Sequence, residues 1–331
     1  MQALKEKNLI LLTIAQSISL FGDRLNNMAL LSIIGSYYSQ STLAFSGLAI
    51  FMALPSILFS PISGVIADSF NRKKLMIITE ILRAIIVFSI PFLFLSFKNI
   101  ILIYFTIFLL YSLTLPFNNA KMALIPQITS NIYTANSILN ITGRLAIAFG
   151  ILFGGILVDL YIWKKLDLEG WKVAFYIDAL TYIISAFLIF FIKIDNNRNA
   201  AHVEIYEIIE KEKGFFKNLW HDFLFAIKYV LDFKKISLIF KFLILTMLVI
   251  SLGYNIYLPY FQQNLGFGTK GIGIIGSSLG IGFLVGSVFF PFLVLKLGEI
   301  RIILISHFLL PSLFVISIFV DNLWVLLILF F

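Results

Sequence analysis

The sequence predicts an all-α polytopic membrane protein, and three observations carry that prediction. Of its 331 residues, 60% are hydrophobic and only 13% are charged, against about 25% charged in soluble domains, and the mean hydropathy is +1.00. The apolar residues gather into runs of about 20 or more, the length that crosses a ~30 Å hydrocarbon core. The basic residues cluster in alternate connections, as orientation in a bilayer demands. The same composition excludes a soluble globule, a coiled coil and a disordered or collagen-like chain. Cysteine is absent, which excludes disulfides, thiolate metal sites and cysteine nucleophiles. The excess of 25 Lys+Arg over 17 Asp+Glu reads as membrane orientation rather than as a nucleic-acid surface.

In chain order, the apolar stretches run Leu9–Tyr38, Leu43–Ala67, Leu75–Phe97, Ile100–Ala120, Ala135–Ile162, Val173–Ile192, Ile236–Tyr260, Gly271–Leu295, Ile302–Val320 and Leu323–Phe331. That makes nine full spans and a stub. The first is long enough to tilt or protrude, at 1.5 Å of rise per residue. Met1 to Asn8 carries Lys5 and Lys7, but no small-residue cleavage site follows, so the first span is expected to be retained.

Lys5, Lys7, Arg72, Lys73, Lys74, Lys121, Lys193, Arg198, Lys296 and Arg301 fall on one side of this arrangement, which is thereby predicted to be cytoplasmic together with the N-terminus. The opposite connections hold Lys98, Lys164, Lys165, Lys172 and Lys270, with Asp167 and Glu169 among them. Residues 195–235 form the only sizeable polar stretch. Within it Leu219, Phe223, Ala226, Val230 and Phe233 recur at alternating spacings of four and three, the pattern of an amphipathic helix lying along the interface. The expected organisation is therefore a six-helix bundle over residues 1–194, a linker over 195–235 and a partial second bundle over 236–331.

A repeat supports the two-bundle reading. Leu9 and Ile236, which open spans one and seven, lie 227 residues apart, and the loop at Asn71-Arg72-Lys73-Lys74 stands at nearly that offset from Gly298-Glu299-Ile300-Arg301. The same offset added to Ile192 places the end of a complete second half near position 419, about 88 residues beyond Phe331. A chain cut short within its tenth span is the expectation. Two six-helix halves joined by a cytoplasmic segment is a plan of transporters that alternate access by rocking one bundle against the other.

The sharpest local signal joins spans two and three: Gly64-Val65-Ile66-Ala67-Asp68-Ser69-Phe70-Asn71-Arg72-Lys73-Lys74. Gly64 permits close helix approach, Asn71 suits a left-handed turn, and Arg72, Lys73 and Lys74 hold the loop at an anionic membrane face. Asp68 is placed to pair with Arg72 or with a helix N-terminus. A second block runs Pro116-Phe117-Asn118-Asn119-Ala120-Lys121-Met122-Ala123-Leu124-Ile125-Pro126, then Ala135-Asn136-Ser137, Arg144, Gly150 and Gly154-Gly155. The first motif resembles the signature loop of the major facilitator superfamily. The second is similar to the branch of macrolide-efflux and siderophore-export proteins, with Lys121 where arginine is usual. The resemblance implies twelve spans, of which residues 1–331 are expected to hold nine and part of the tenth. It also implies a cytoplasmic gate at Gly64, Asp68, Asn71, Arg72, Lys73 and Lys74.

Among candidate working residues, Asp23 and Arg24 lie about 21 Å along the helix from Leu9. Charge at that depth costs roughly 2.5–3.5 kcal/mol and is usually kept for a pathway or relay. Asp23 is the expected proton-coupled carboxylate, with Lys121, Arg144 or neighbouring Arg24 as its partner. A permanent Asp23–Arg24 ion pair, or snorkelling of the two to the outer interface, is the alternative. Glu80 and Arg83 read as an intrahelical pair, and Asp178 either lines the cavity or pairs near Lys172. Arg144 serves a gate or binds an anionic substrate. The glycine pairs Gly150–Gly154, Gly276–Gly280 and Gly282–Gly286 predict close helix packing. Tyr37, Tyr38, Tyr161, Trp163 and Trp171 suit an outer interfacial belt. His202, His221 and His307 lack a ligand spacing, and no metal or cofactor is expected.

These readings lead to a secondary transporter of a bacterial inner membrane that exports a small amphipathic or apolar compound by proton-coupled alternating access. Its expected partners are a small-molecule substrate, protons and the lipid bilayer, with no nucleic acid and a monomeric state. A lipid or siderophore exporter and a nonfunctional remnant are the alternatives. An enzyme has no supporting constellation.

Overall fold

The computed structural model describes residues 7–38, 41–129, 131–194, 228, 232–233, 237–238, 241–242, 244–246, 257, 259–317 and 319–331. Among these residues the regular structure is entirely helical: α1 Lys7–Tyr37, α2 Thr42–Ser69, α3 Arg72–Phe97, α4 Ile100–Ile128, α5 Ile132–Val158, the short α6 Tyr161–Lys165, α7 Gly170–Phe190, a π turn at Tyr260–Asn264, α8 Gly268–Leu297, α9 Glu299–Ser317 and α10 Leu323–Phe330. The amphipathic stretch around 219–233 lies outside the described residues apart from Lys228, Asp232 and Phe233, as do His202 and His221.

Polar residues at the connections start these helices. Ser41 accepts the Ala44 N–H at 3.2 Å, Asn71 the Lys74 N–H at 3.0 Å, Asn99 the Ile101 N–H at 2.9 Å and Asn131 the Thr134 N–H at 3.1 Å. Each satisfies an amide that a first turn leaves without a partner. Asn71 therefore does not take the left-handed turn that its sequence context suggested. Its φ of −61° and ψ of 113° are those of an N-cap, because capping rewards an extended backbone with a side-chain bond. Asn71→Ala is expected to cost about 1 kcal/mol, read as a fall of ~2–4 °C in melting temperature, with Asn71→Asp close to wild type.

Among the described residues, five stretches are long and apolar enough to cross a bilayer: Leu43–Ser60, Arg72–Phe97, Ile100–Ile128, Ile132–Trp163 and Gly170–Phe190. Helix α1 spans 31 residues, ample length, but Gln16, Ser19, Asp23, Arg24, Asn26 and Asn27 make it less apolar than these five. Helix α4 continues past Ala120, where the apolar stretch was expected to end, through Pro116 and Pro126 to Ile128. The outward faces are apolar as well: Ile85, Phe88 and Phe92 on α3 and Leu180, Ile183 and Phe187 on α7 are all exposed. A helix oily on every side belongs in lipid.

Packing order places the site. Helix α1 lies against α5 and α7, α3 against α4 and α7, α2 against α4, and α8 against α5. Two apolar clusters fill the ends of the α1–α7 bundle. One gathers Leu30, Ile33 and Ile34 with Phe94, Ile103 and Phe175. The other gathers Leu9, Leu12, Met76, Leu124, Leu139 and Ile189. Trp171 joins the first cluster, 3% exposed, with its ring edge-on to Phe94 and Phe175. It is a core residue and not a member of the interfacial belt, because α7 begins one residue earlier and turns it inward.

At the same end, Tyr37 donates to Glu169 Oε1 at 2.6 Å and Lys172 Nζ lies 3.0 Å from Glu169 Oε2. Burial pushes the Glu169 carboxyl up, but the bonds from Tyr37 and Lys172 outweigh it and hold the carboxyl below its ordinary value. A depressed carboxyl stabilises the fold above its unfolded pKa of about 4.3 and loses that contribution as pH falls through the folded value. Glu169 is partly exposed, so screening limits the effect to below ~1 kcal/mol. Melting of wild type and Glu169→Gln across pH checks this, the gap closing in acid.

Candidate functional site

Between the two apolar clusters lies a buried polar layer built from α1, α3 and α7. Arg83, 2% exposed, is its hub. Its Nη2 donates to Asp23 Oδ1 at 2.7 Å and to the Tyr182 hydroxyl at 3.0 Å, and its Nη1 lies 3.5 Å from Glu80 Oε2. The guanidinium carbon sits 4.2 Å from the Tyr182 ring centroid and 5.7 Å from that of Phe117, a cation held over aromatic faces. Tyr182 in turn donates its hydroxyl proton to Asp23. Glu80, on the far side of the guanidinium, accepts from Ser185 Oγ at 3.0 Å. Helix geometry brings these groups level, since Asp23 stands ~24 Å into α1 and Arg83 ~17 Å into the parallel α3, and the long arginine side chain covers the difference.

Asp178 is fully buried on α7. Its Oδ2 accepts from Asn26 Nδ2 at 3.0 Å and its Oδ1 from Thr181 Oγ1 at 3.3 Å. Gly22 lets α1 come this close, because a Cβ there would run into Asp178 Oδ1 and Thr181 Oγ1.

Asp23 and Arg24, together with Arg83, Asn26, Asn27, Leu20, Leu110, Tyr111, Thr114 and Asn118, line a cavity of about 150 Å³ between α1, α3 and α4. Asp23, 19% exposed, belongs both to the layer and to this cavity wall, as Asn26 and Arg83 do.

Several expected pairings differ. The partner of Asp23 is Arg83, supported by Tyr182. Arg24 follows Asp23 directly, and consecutive helical residues point ~100° apart, so the two do not pair. Lys121 Nζ bonds the Asn118 side chain at 3.1 Å and lies over Phe117. Arg144 is exposed on α5 and takes no part in the cluster. Asp178 is held by Asn26 and Thr181, while Lys172 serves Glu169. Glu80 and Arg83 are within ion-pair distance on one helix, but the pair is part of a larger cluster. Tyr182 gave no sequence signal, being one aromatic among many. Arg83 did, since a cation eleven residues inside an apolar helix carries the same cost that singled out Asp23.

In the loop motif, a Cβ on Gly64 would meet nothing within 4 Å, so Gly64 is not a point of close approach. Arg72 opens α3 and Lys73 Nζ lies 5.3 Å from the Phe190 ring centroid. The Asp68 side chain lies outside the described ones.

The glycine pairs do bring helices together, Gly286 excepted, where a Cβ would stand in open space. A Cβ on Gly150 would lie 2.7 Å from Phe21 O, and one on Gly154 3.2 Å from Leu25 Cα. Gly155 and Gly273 face each other where α5 meets α8, each with a Cβ position 2.8 Å from the other's Cα. Beside them Asp159 Oδ2 accepts the Lys270 N–H at 2.6 Å and Gln262 Nε2 donates to Leu31 O at 3.1 Å. One end of the bundle is thereby tied to the π turn and α8.

An all-helical bundle with lipid-facing outer surfaces, a buried charged layer and an adjoining polar cavity defines a polytopic membrane protein. The chain belongs to the Major Facilitator Superfamily, whose profile matches residues 12–331. It is 32% identical over 191 residues to the uncharacterized MFS-type transporter YfiS of Bacillus subtilis (strain 168), covering 57% of this chain and 43% of YfiS. It is 27% identical over 275 residues to BacE of the same organism, named as a candidate bacilysin exporter, covering 82% and 63%. The chain thus spans less than two thirds of these relatives. A solved bacterial homolog of the human lysosomal transporter Spinster, in an inward-facing and unoccupied conformation, shares the fold at a TM-score of 0.57 and 15% identity, over 86% of this chain and 63% of that one.

Proposed function

We propose that this protein is a secondary active exporter that moves a small amphipathic or apolar compound out of the cell while protons enter. The observation that carries the reading is the contact of Asp23 with both the buried Arg83 hub and the cavity. Arg83 stands between two carboxyl groups, Asp23 and Glu80, so one proton held by that pair leaves the trio neutral in a medium where an unpaired ion costs several kcal/mol. A proton arriving at Asp23 from the cavity removes the anion that holds Arg83 at 2.7 Å, and the guanidinium turns to Glu80, already 3.5 Å away. That exchange loosens α1 from α3 and shifts the balance between two orientations of the bundle.

In this reading residues 1–194 and 236–331 belong to two bundles joined by 195–235. The chain acts as a single copy in a bacterial plasma membrane, N-terminus in the cytoplasm. Gly64, Asp68, Asn71, Arg72, Lys73 and Lys74 form the cytoplasmic gate, and the α5–α8 contact closes the outer end. Arg144, exposed on α5, takes a gating role. The exporter assignment of BacE supports the outward direction.

Everted membrane vesicles test the proposal. An acid-inside gradient is expected to drive accumulation of an amphipathic dye such as dansylglycine in vesicles containing the protein beyond that in vesicles without it, and a protonophore to abolish the difference. Accumulation that ignores the gradient contradicts it.

A further inference from the structure

Arg24 is the one residue of the cavity wall whose charge is unanswered. Its neighbour Asp23 is held by Arg83 and Tyr182, and Arg83 divides its own charge between Asp23 and Glu80. Arg24 forms no ion pair and no hydrogen bond with another described residue, and its Nε is buried with no acceptor. Such an arginine is costly in a membrane-spanning helix, where cations are kept for a function. The side chain is also placed rather than loose. Its Cβ packs against Gly150 of α5, where an added Cβ would come within 2.8 Å of it, and it opens onto the cavity.

The rest of the wall agrees in chemistry. Asn27, Thr114, Tyr111 and Asn118 offer hydrogen-bonding groups beside Arg24, and Leu20 and Leu110 offer two apolar surfaces. The cavity suits the polar end of an amphipathic molecule. A guanidinium presents a planar fork that fits a carboxylate through two parallel N–H···O bonds. One uncompensated positive charge balances one negative charge, which favours a carboxylate over a doubly charged phosphate.

We infer that Arg24 anchors the substrate by an acid group, and that the compound taken by this cavity is a carboxylate-bearing amphipath rather than a neutral or cationic one. The inference rests on the exporter reading for its context, but it concerns binding alone and its test needs neither a gradient nor turnover.

Dansylglycine, its methyl ester and dansylcadaverine share a fluorophore and differ in charge, so the purified protein in detergent at fixed pH can be titrated with each by dansyl emission. Saturable binding of dansylglycine is expected, with the ester and the amine weaker by at least about tenfold. Arg24→Gln is expected to lower affinity for the acid by at least about tenfold while leaving the ester unchanged. Arg24→Lys, which keeps the charge and loses the fork, should fall between. Arg301→Gln, exposed on α9, should bind as wild type. Cooperative melting of each variant establishes that it is folded.

Equal binding of acid and ester overturns the inference. So does Arg24→Gln binding the acid as wild type does, and so does a folded wild type with no saturable acid binding up to ~1 mM. Acid binding through Arg24 in a protein that shows no proton-driven transport would sink the exporter reading and leave this one standing.

Discussion

Arg83→Met is expected to unfold or severely weaken the bundle, with the melting temperature of the detergent-solubilised protein falling by about 10 °C or more. Methionine fills much of the volume but leaves Asp23 and Glu80 without their cation, and removing one partner of a buried pair costs roughly 3–5 kcal/mol. In a chain of this size 1 kcal/mol corresponds to ~2–4 °C. The cause is separable from lost packing. Adding Asp23→Asn and Glu80→Gln to Arg83→Met removes the stranded anions, and replacing a whole buried ion cluster by neutral groups is often close to neutral. The triple variant should therefore recover most of the lost stability while remaining inactive in transport. Recovery of less than a quarter of it would mean that Arg83 acts mainly through its contacts with Tyr182 and Phe117.

Gly155→Leu is expected to separate α5 from α8. The atoms that a Cβ would meet, Gly273 Cα and Thr269 O at 2.8 Å, are backbone and cannot rotate aside, so the helices must part. The sequence has no cysteine, which makes a crosslink an unambiguous reporter. Ala148 and Gly280 are adjacent across the same contact, with Cβ positions 2.7 Å apart. A disulfide needs its Cβ atoms ~3.5–4.5 Å apart, so the pair Ala148→Cys with Gly280→Cys should close once the two helices give slightly, whereas leucine at position 155 parts them further and carries the pair beyond that window. Adding Gly155→Leu should cut its rate by about tenfold or more, a factor worth ~1.4 kcal/mol, and abolish transport. An undiminished crosslink would show that the helices approach elsewhere.

The helices were legible because a bilayer imposes a length and a polarity on each of them, whereas the caps Asn71, Asn99 and Asn131 show only in the bonds of the folded chain, hydropathy opening span three at Leu75 and span five at Ala135. Their exact ends were less legible, since hydrogen bonding carries α4 through Pro126 where hydropathy alone stops at Ala120. Asp23 stood out by depth, but its partner did not. Pairing across helices depends on which faces meet, and Arg83 had a nearer acid on its own helix in Glu80 to account for it. Gly64 and Trp171 show the same limit in reverse: a glycine at a motif position can face open space, and a tryptophan near a helix start can turn into the core.

Asp23→Asn in proteoliposomes decides whether Asp23 couples proton entry to movement of the transported compound. Asparagine keeps the size and one acceptor for Arg83 and Tyr182 but holds no exchangeable charge. Concentrative uptake driven by an imposed pH gradient should disappear, while exchange of substrate at equal pH on both sides continues. Gradient-driven accumulation at the wild-type rate in Asp23→Asn would contradict the account.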